Sequence, residues 1–337
     1  MNAARFLLLS AGLALAAPLL STPAIAAPKL KVCVWDIAGN AGPAMQAMRE
    51  WQLEAVSWGL EVELLPHTNE GIAAEELKSN QCDATLMTGI RARQFNKYTG
   101  SLDSIGSIPD DAHFRTAMQV LSHPQSAARM IQGPYTVMGV APAGAAYIFV
   151  NDRNINTLAK AAGKKVAVLE YDPTQAQLVA QVGATPVASD ITNFSSRFNN
   201  GQVDVIASPL VAYGALELYR GLAPNGAIIN YPLMQITLQL VGRSDKFSPE
   251  IAQKSREYFF NNLARIQQQL SKEAERVDPK WFQDIPAADK QEYEIMMQEA
   301  RVQLRNTGHY DADMMSLLHR IRCRVDGARS ECTDPVE

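Results

Sequence analysis

The same order of strand and helix patterns runs through this chain twice, and no other feature narrows its fold as much. In the first unit, Lys29-Leu30-Lys31-Val32-Cys33-Val34-Trp35 reads as a buried strand. After a Gly-rich turn, Met45, Met48, Trp51 and Ala55 recur at helical spacing. Leu60 to Leu65 alternates as a strand does, Ile72 to Lys78 reads as a short helix, and Asp83 to Met87 as a third strand. The second unit starts with a strand at Lys164 to Leu169. Asp172-Pro173 opens its helix, with Asp as N-cap and Pro at the first helical position. Gly183 to Val187 supplies the next strand, Ile191 to Phe198 the next short helix, and Asn200 to Ala207 closes the unit. Both units end alike: Asn80-Gln81-Cys82-Asp83 and Asn200-Gly201-Gln202-Val203-Asp204 each run into an apolar strand. A repeated βαβαβ order implies parallel sheets with crossover helices, here in two similar lobes.

The last third differs. Ile251, Ser255, Tyr258, Phe259, Leu263, Ile266 and Leu270 form one face of a long helix, and Tyr293, Met296, Met297, Ala300 and Leu304 form a second face, all read as core. Arg301, Arg305, Arg320, Arg322 and Arg324 read as solvated faces. The expected architecture is α/β: a two-lobe periplasmic-binding-protein-like fold, its parallel-sheet lobes joined by crossover segments, with additional C-terminal helices. Residues 27–141 are expected to form lobe 1, completed by part of 223–337, and 142–222 lobe 2. Residues 223–337 would supply the crossover return and the C-terminal helices. Ala141 to Tyr147 and Leu222 to Met234 are the expected hinges. Gly139-Val140-Ala141-Pro142-Ala143-Gly144 begins like a phosphate loop but lacks its Lys-Ser/Thr, and reads as a turn or hinge.

Residues 1–26 read as a signal peptide. Arg5 precedes an apolar run from Phe6 to Leu20, and Ala24-Ile25-Ala26 is a small-residue cleavage site; an uncleaved anchor is the other reading. Val137 to Val150 is the nearest thing to a later membrane span, and Gly139, Pro142 and Gly144 interrupt it. The mature protein is therefore expected to be exported, soluble and periplasmic. Its four cysteines form an even set, which in an exported chain predicts disulfides. Cys33 lies in the first strand and Cys82 begins another, so they are expected to pair as sheet neighbours, with free thiols as the other reading. Cys323 and Cys332 close a short C-terminal loop. No C-x-x-C occurs, and His67, His113, His123, His309 and His319 show no ligand spacing, so no metal is expected. A net charge of −4, without runs of like charge, argues against nucleic acid or an anionic membrane as the main partner. With no H-E-x-x-H and no G-x-S-x-G, no catalytic residue, no cofactor and no enzyme activity are expected.

Four stretches resemble the solute-binding proteins of TRAP transporters. Asn156 to Val166 is similar to that family's entry into the second lobe, and Leu178 to Val187 to its Gly-Ala-Thr-Pro-Val stretch. Phe198 to Asp204 resembles its Gly-x-x-Asp turn, and Trp281 to Gln291 the start of a late helix. The narrower resemblance is to the AdeT-like solute-binding proteins, a group labelled as RND-transporter or efflux-associated. The resemblance implies a periplasmic receptor that captures a small organic solute between its lobes and delivers it to a membrane transporter. An accessory protein of an RND-type efflux or envelope assembly is the alternative, and a secreted enzyme a third reading. One departure stands out. Where the family usually carries an Arg that pairs with a substrate carboxylate, this chain has Ala167, and Ser208 stands where the family has an Asn.

Ligands of open parallel sheets sit beyond the C-terminal strand ends. That places Trp35, Asp36, Thr88, Arg91, Glu170, Tyr171, Asp172, Ser208 and Tyr213 in the cleft, with Tyr147 at the hinge. Bland roles compete: Trp35 reads equally as core, Asp36 and Asp172 as helix caps, and Arg91, the best cationic candidate with Arg93 as its replacement, equally as one end of a surface salt bridge. Arg91 suits an anionic ligand, Glu170 and Asp172 a cationic one, so the charge of the ligand stays open.

Overall fold

The computed structural model describes residues 29–333 and 336. The predicted signal peptide lies outside the described residues. Among the described residues ten strands form one sheet: β1 (Leu30–Trp35), β2 (Val62–His67), β3 (Ala84–Thr88), β4 (Ile131–Gln132), β5 (Tyr135–Val150), β6 (Lys165–Leu169), β7 (Thr185–Ser189), β8 (Val205–Pro209), β9 (Ala227–Arg243) and β10 (Phe282–Gln283). Their order is β2-β1-β3-β9-β5-β8-β6-β7, with β4 on β5 and β10 on β9. Strands β1, β2 and β3 pair in parallel, as do β6, β7 and β8. These are the two lobes read from the repeated units.

Between them runs a long antiparallel pair, β5 and β9, which extends from Tyr135 opposite Arg243 to Val150 opposite Ala227 with register shifts after Val137, Pro142 and Ala146. The expected hinge at Ala141 to Tyr147 thus lies inside β5, and the one at Leu222 to Met234 lies in β9 from Ala227 onward. Gly139 to Gly144 is extended β5 backbone rather than a turn, and the ladder slips by one residue at Gly139 and again at Gly144. The glycines and proline that interrupt this apolar run mark these irregularities.

Side-chain alternation explains the layers. Val32 and Val34 of β1 face one way, onto Met45, Met48, Trp51 and Ala55 of the helix Pro43–Ser57. Cys33 faces the other way, with Ala73 of the helix Glu70–Lys78. Trp51 is fully buried and its indole N–H donates to Ser255 Oγ at 2.9 Å, which ties lobe 1 to the C-terminal part. Burying such a side chain contributes about 1.5–3 kcal/mol. The second lobe packs Phe149, Phe198, Ile206, Leu222 and Trp281.

Two expectations fail. The long C-terminal helix is two helices, Pro249–Asn261 and Leu263–Ala274, broken at Asn262. At this break Asn262, with φ −89° and ψ −3°, donates its side-chain amide to Tyr258 O at 2.9 Å. Arg301 and Arg322 are not solvated: both are buried against the Glu331 carboxylate, at 2.9 Å each. Arg301 also donates to Ile105 O and Arg322 to Ser107 O, so backbone carbonyls share the buried guanidinium groups with Glu331. Both expected disulfides are present, Cys33–Cys82 and Cys323–Cys332.

Candidate functional site

A cavity of about 1050 Å³ lies between the lobes, beyond the C-terminal ends of β1, β3, β6 and β8. Trp35, Asp36, Thr88, Tyr171, Asp172, Ser208 and Tyr213 line it, together with Ala167. Each wall follows from local structure. Asp36 follows β1 and caps the helix Pro43–Ser57 from a distance: its carboxylate accepts from the N–H groups of Ala38 (2.9 Å), Ala44 (2.7 Å) and Met45 (3.2 Å). This close turn requires glycine at 42, since a Cβ there would sit 1.8 Å from Asp36 Oδ1. Asp172 likewise caps the helix Pro173–Gln181, accepting from Thr174 N–H at 3.3 Å and from the Thr174 hydroxyl. The two cap readings hold, and both carboxylates border the cavity as well.

Other expected residues lie elsewhere. Arg91 is outside the main cavity. It lines a smaller pocket of about 530 Å³ with Glu170, Tyr171 and Asp190. There its guanidinium stacks on the Tyr171 ring, 3.4 Å from the centroid, and pairs with Glu70 at 3.4 Å. Tyr171 donates its hydroxyl to the same Glu70 carboxylate at 3.3 Å, so this cluster joins the lobes along one side of the cleft. Tyr147 lines neither cavity; it is half-buried on β5 with its ring edge against Phe282. Ser208 lies opposite Tyr147 in the β5–β8 register, and the Tyr213 hydroxyl accepts from Trp281 Nε1 at 3.0 Å.

The sequence reading missed several groups. Glu70 is fully buried, and burial pushes its carboxyl up, against the opposing effects of the Thr88 hydrogen bonds and Arg91. Asp103, also fully buried, lines the cavity and accepts from Thr237 N–H (3.1 Å) and hydroxyl (2.6 Å); burial pushes it up to about 7. A signal existed in the polar alternation Gln235, Thr237, Gln239 on the otherwise apolar β9. Behind Asp172, His309 Nε2 meets Arg93, whose guanidinium also lies 3.5 Å from Asp172. Burial, and then the Arg93 charge, lowers His309 to about 4, so its neutral ring accepts from Arg93.

The lining is therefore mainly apolar, and its charges are engaged. Among the described residues, Arg265 and Arg276 are the cations of the lining, and they pair with Glu50 and Glu273. Trp35 Nε1–H is the lining's buried polar side-chain atom left without a hydrogen-bond partner in the protein, among the described residues. Such a site holds a molecule by apolar contact and a few directed hydrogen bonds.

Two parallel arrays that share crossing strands, with a cavity between their C-terminal ends, define a two-lobe solute receptor fold. Solved structures agree. A TRAP periplasmic solute-binding protein from Desulfovibrio salexigens with bound orotic acid matches with a TM-score of 0.72 at 15% identity, over 88% of this chain and 99% of that one. One from a Bradyrhizobium species, in complex with galacturonate, matches with a TM-score of 0.71 at 18% identity, again over 88% and 99%. At sequence level, the family described as "Solute-binding protein AdeT 1/2" matches residues 53–336. A relative from Acinetobacter baumannii, described as "Probable solute-binding protein AdeT1", is 42% identical over 89% of this chain and 98% of its own length. A second from the same organism, described as "Probable solute-binding protein AdeT2", is 28% identical over 69% and 98%. The chain belongs to the AdeT1/AdeT2 solute-binding protein family. These descriptions speak of solute binding, and they favour that reading over an efflux accessory. Among the described residues no helix is long and apolar enough to cross a membrane.

Proposed function

We propose that this protein is exported to the periplasm after removal of residues 1–26, captures a small organic solute between its lobes, and presents it to a membrane transporter. It binds without turnover. The observation that carries this reading is the cavity of about 1050 Å³ at the C-terminal ends of both parallel arrays. Residues 27–141 and part of 223–337 act as one lobe and 142–222 as the other, and they close about the irregular stretch of β5.

The solved neighbours hold carboxylic acids: orotic acid in one, galacturonate in the other. This chain offers a different chemistry. Ala167 lines the cavity where the resembled family carries an Arg, and the lining's arginines are already paired. Asp36, Asp103 and Asp172 border the cavity instead. The solute is an uncharged or amine-bearing molecule with an apolar body and an acceptor for Trp35 Nε1–H. A thermal-shift screen over uronic acids, keto acids, amines and aromatic compounds tests this. The amines and aromatics should stabilise the protein, and Trp35→Phe should weaken the best of them about fivefold to tenfold, the loss of one hydrogen bond. Stabilisation by uronates alone would overturn the assignment of solute class. Failure of every class would overturn the receptor reading.

A further inference from the structure

One cluster outside the main cavity, its Glu76 lining the smaller pocket with Arg91 and Tyr171, has the donor set of a metal centre. Cys33, His67, Glu76 and Cys82 place a sulfur, a ring nitrogen, a carboxylate oxygen and a second sulfur within 4.8 Å of one another. Among the described residues it is the one such group of three or more. Spacing along the chain hides it, because the fold assembles it from two strands, a helix and the loop before β3. Cys33 sits in β1 opposite Leu65 of β2, and His67 lies two residues beyond Leu65, hence on the same sheet face. Glu76 lies one helical turn beyond Ala73, which packs with both cysteines. Cys82 leads into β3, and its N–H donates to Glu76 O at 3.1 Å.

Glu76 Oε2 is the focus of the group. It lies 3.1 Å from Cys33 Sγ, 3.4 Å from Cys82 Sγ and 3.1 Å from His67 Nε2. Ligands at 2.0–2.3 Å around a tetrahedral ion are separated by roughly 3.3–3.8 Å. Three of the donor separations are thus close to those of a coordination shell. Both cysteines are fully buried, while His67 and Glu76 keep partial exposure, which gives an ion a way in from the surface. A disulfide alone accounts for the two sulfurs. It does not account for an imidazole nitrogen and a carboxylate oxygen converging on them.

We propose that the reduced form of Cys33 and Cys82, with His67 Nε2 and a Glu76 carboxylate oxygen, is a tetrahedral site for a thiophilic divalent cation of the zinc class. The disulfide and the metal site are alternative states of the same residues. A dithiol reductant converts one to the other: its two electrons and two protons cleave the Cys33–Cys82 bond to two thiols, and it leaves as its own disulfide. The cation then displaces the two thiol protons, which pass to solvent, and binds two thiolates. The oxidised protein has no thiolate to offer there and does not bind the ion.

Cobalt(II) is the probe, because thiolate ligation and tetrahedral geometry each give it distinctive absorption. The protein, reduced with a phosphine and freed of oxygen, should take up one cobalt with a thiolate-to-metal charge-transfer band and tetrahedral visible bands, displaceable by zinc. The oxidised protein should show neither. His67→Gln and Glu76→Gln leave both cysteines in place and should each weaken cobalt at least tenfold and alter the visible bands. Cys323→Ser, which disables the second pair, should leave the spectrum unchanged. The proposal is overturned if the reduced protein binds no cobalt in thiolate form, if both ligand variants bind like wild type, or if Cys323→Ser abolishes the spectrum. Loss of fold on reduction that one equivalent of zinc reverses supports the site, and loss that zinc does not reverse overturns it.

Discussion

Burial alone would raise the Glu331 carboxyl, but Arg322, through hydrogen bonds and charge, then Arg301 and Arg329, hold it down at about 2. Its ordinary value is 4.5, so the sign of the linkage is fixed. The cluster stabilises the fold fully above pH 4.5, and this contribution is lost as pH falls toward 2. Glu331→Gln leaves Arg301 and Arg322 buried without their carboxylate and should cost about 3–5 kcal/mol at pH 7. Urea unfolding of both proteins at pH 7 and pH 3 checks this: the gap should narrow at the lower pH, and an unchanged gap would contradict the ion-pair account. Residues were legible from sequence where their chemistry is local. Asp172 before Pro173 announces a cap within three positions, and the structure has that cap. Arg301 and Arg322 looked like solvated charges because no neighbour along the helices reveals Glu331. The same holds for Glu70, whose partners Arg91 and Tyr171 lie on two different lobes.

At the scale of elements, periodicity carried most of the reading. The strands and helices of both units lie where alternation and helical spacing put them, within a few residues. The broken helix had a visible cause in Asn261-Asn262, polar residues of low helix propensity that an apolar face on both sides disguised. Strands β4 and β10, two residues each, are too short to carry any period. Packing between elements is where sequence gives least, and β5 shows it. The helix Pro249–Asn261 presses so closely on this strand that a Cβ at Gly139 would lie 2.1 Å from the Phe259 ring. Gly139→Val should therefore destabilise by about 1–3 kcal/mol, the range for overpacking a core. Pairing it with Phe259→Leu, which makes room, should recover part of the loss; thermal unfolding of the single and double variants would test that, and additive losses would refute it.

For the whole molecule, the testable point is the proposed closure of the lobes on a solute. Arg91 on Tyr171, Arg93 beside Asp172 and Gln181 to Gln303 at 2.9 Å already connect the two sides. A solute that binds only the closed form should add about 2.7 kcal/mol of stability at 100 times Kd. Small-angle scattering should show compaction in parallel. Stabilisation without compaction would mean that the cleft is fixed. The path of the chain has one more consequence. Val150 and Ala227 face each other on one rung of the β5–β9 ladder, so everything from 151 to 226 leaves and returns at a single point. That stretch carries Ala167, Tyr171, Asp172, Ser208 and Tyr213, one whole bank of the cleft. A recombination event with two crossovers at this rung exchanges the bank as a cassette and leaves the other bank, with Trp35 and Asp36, in its old sequence.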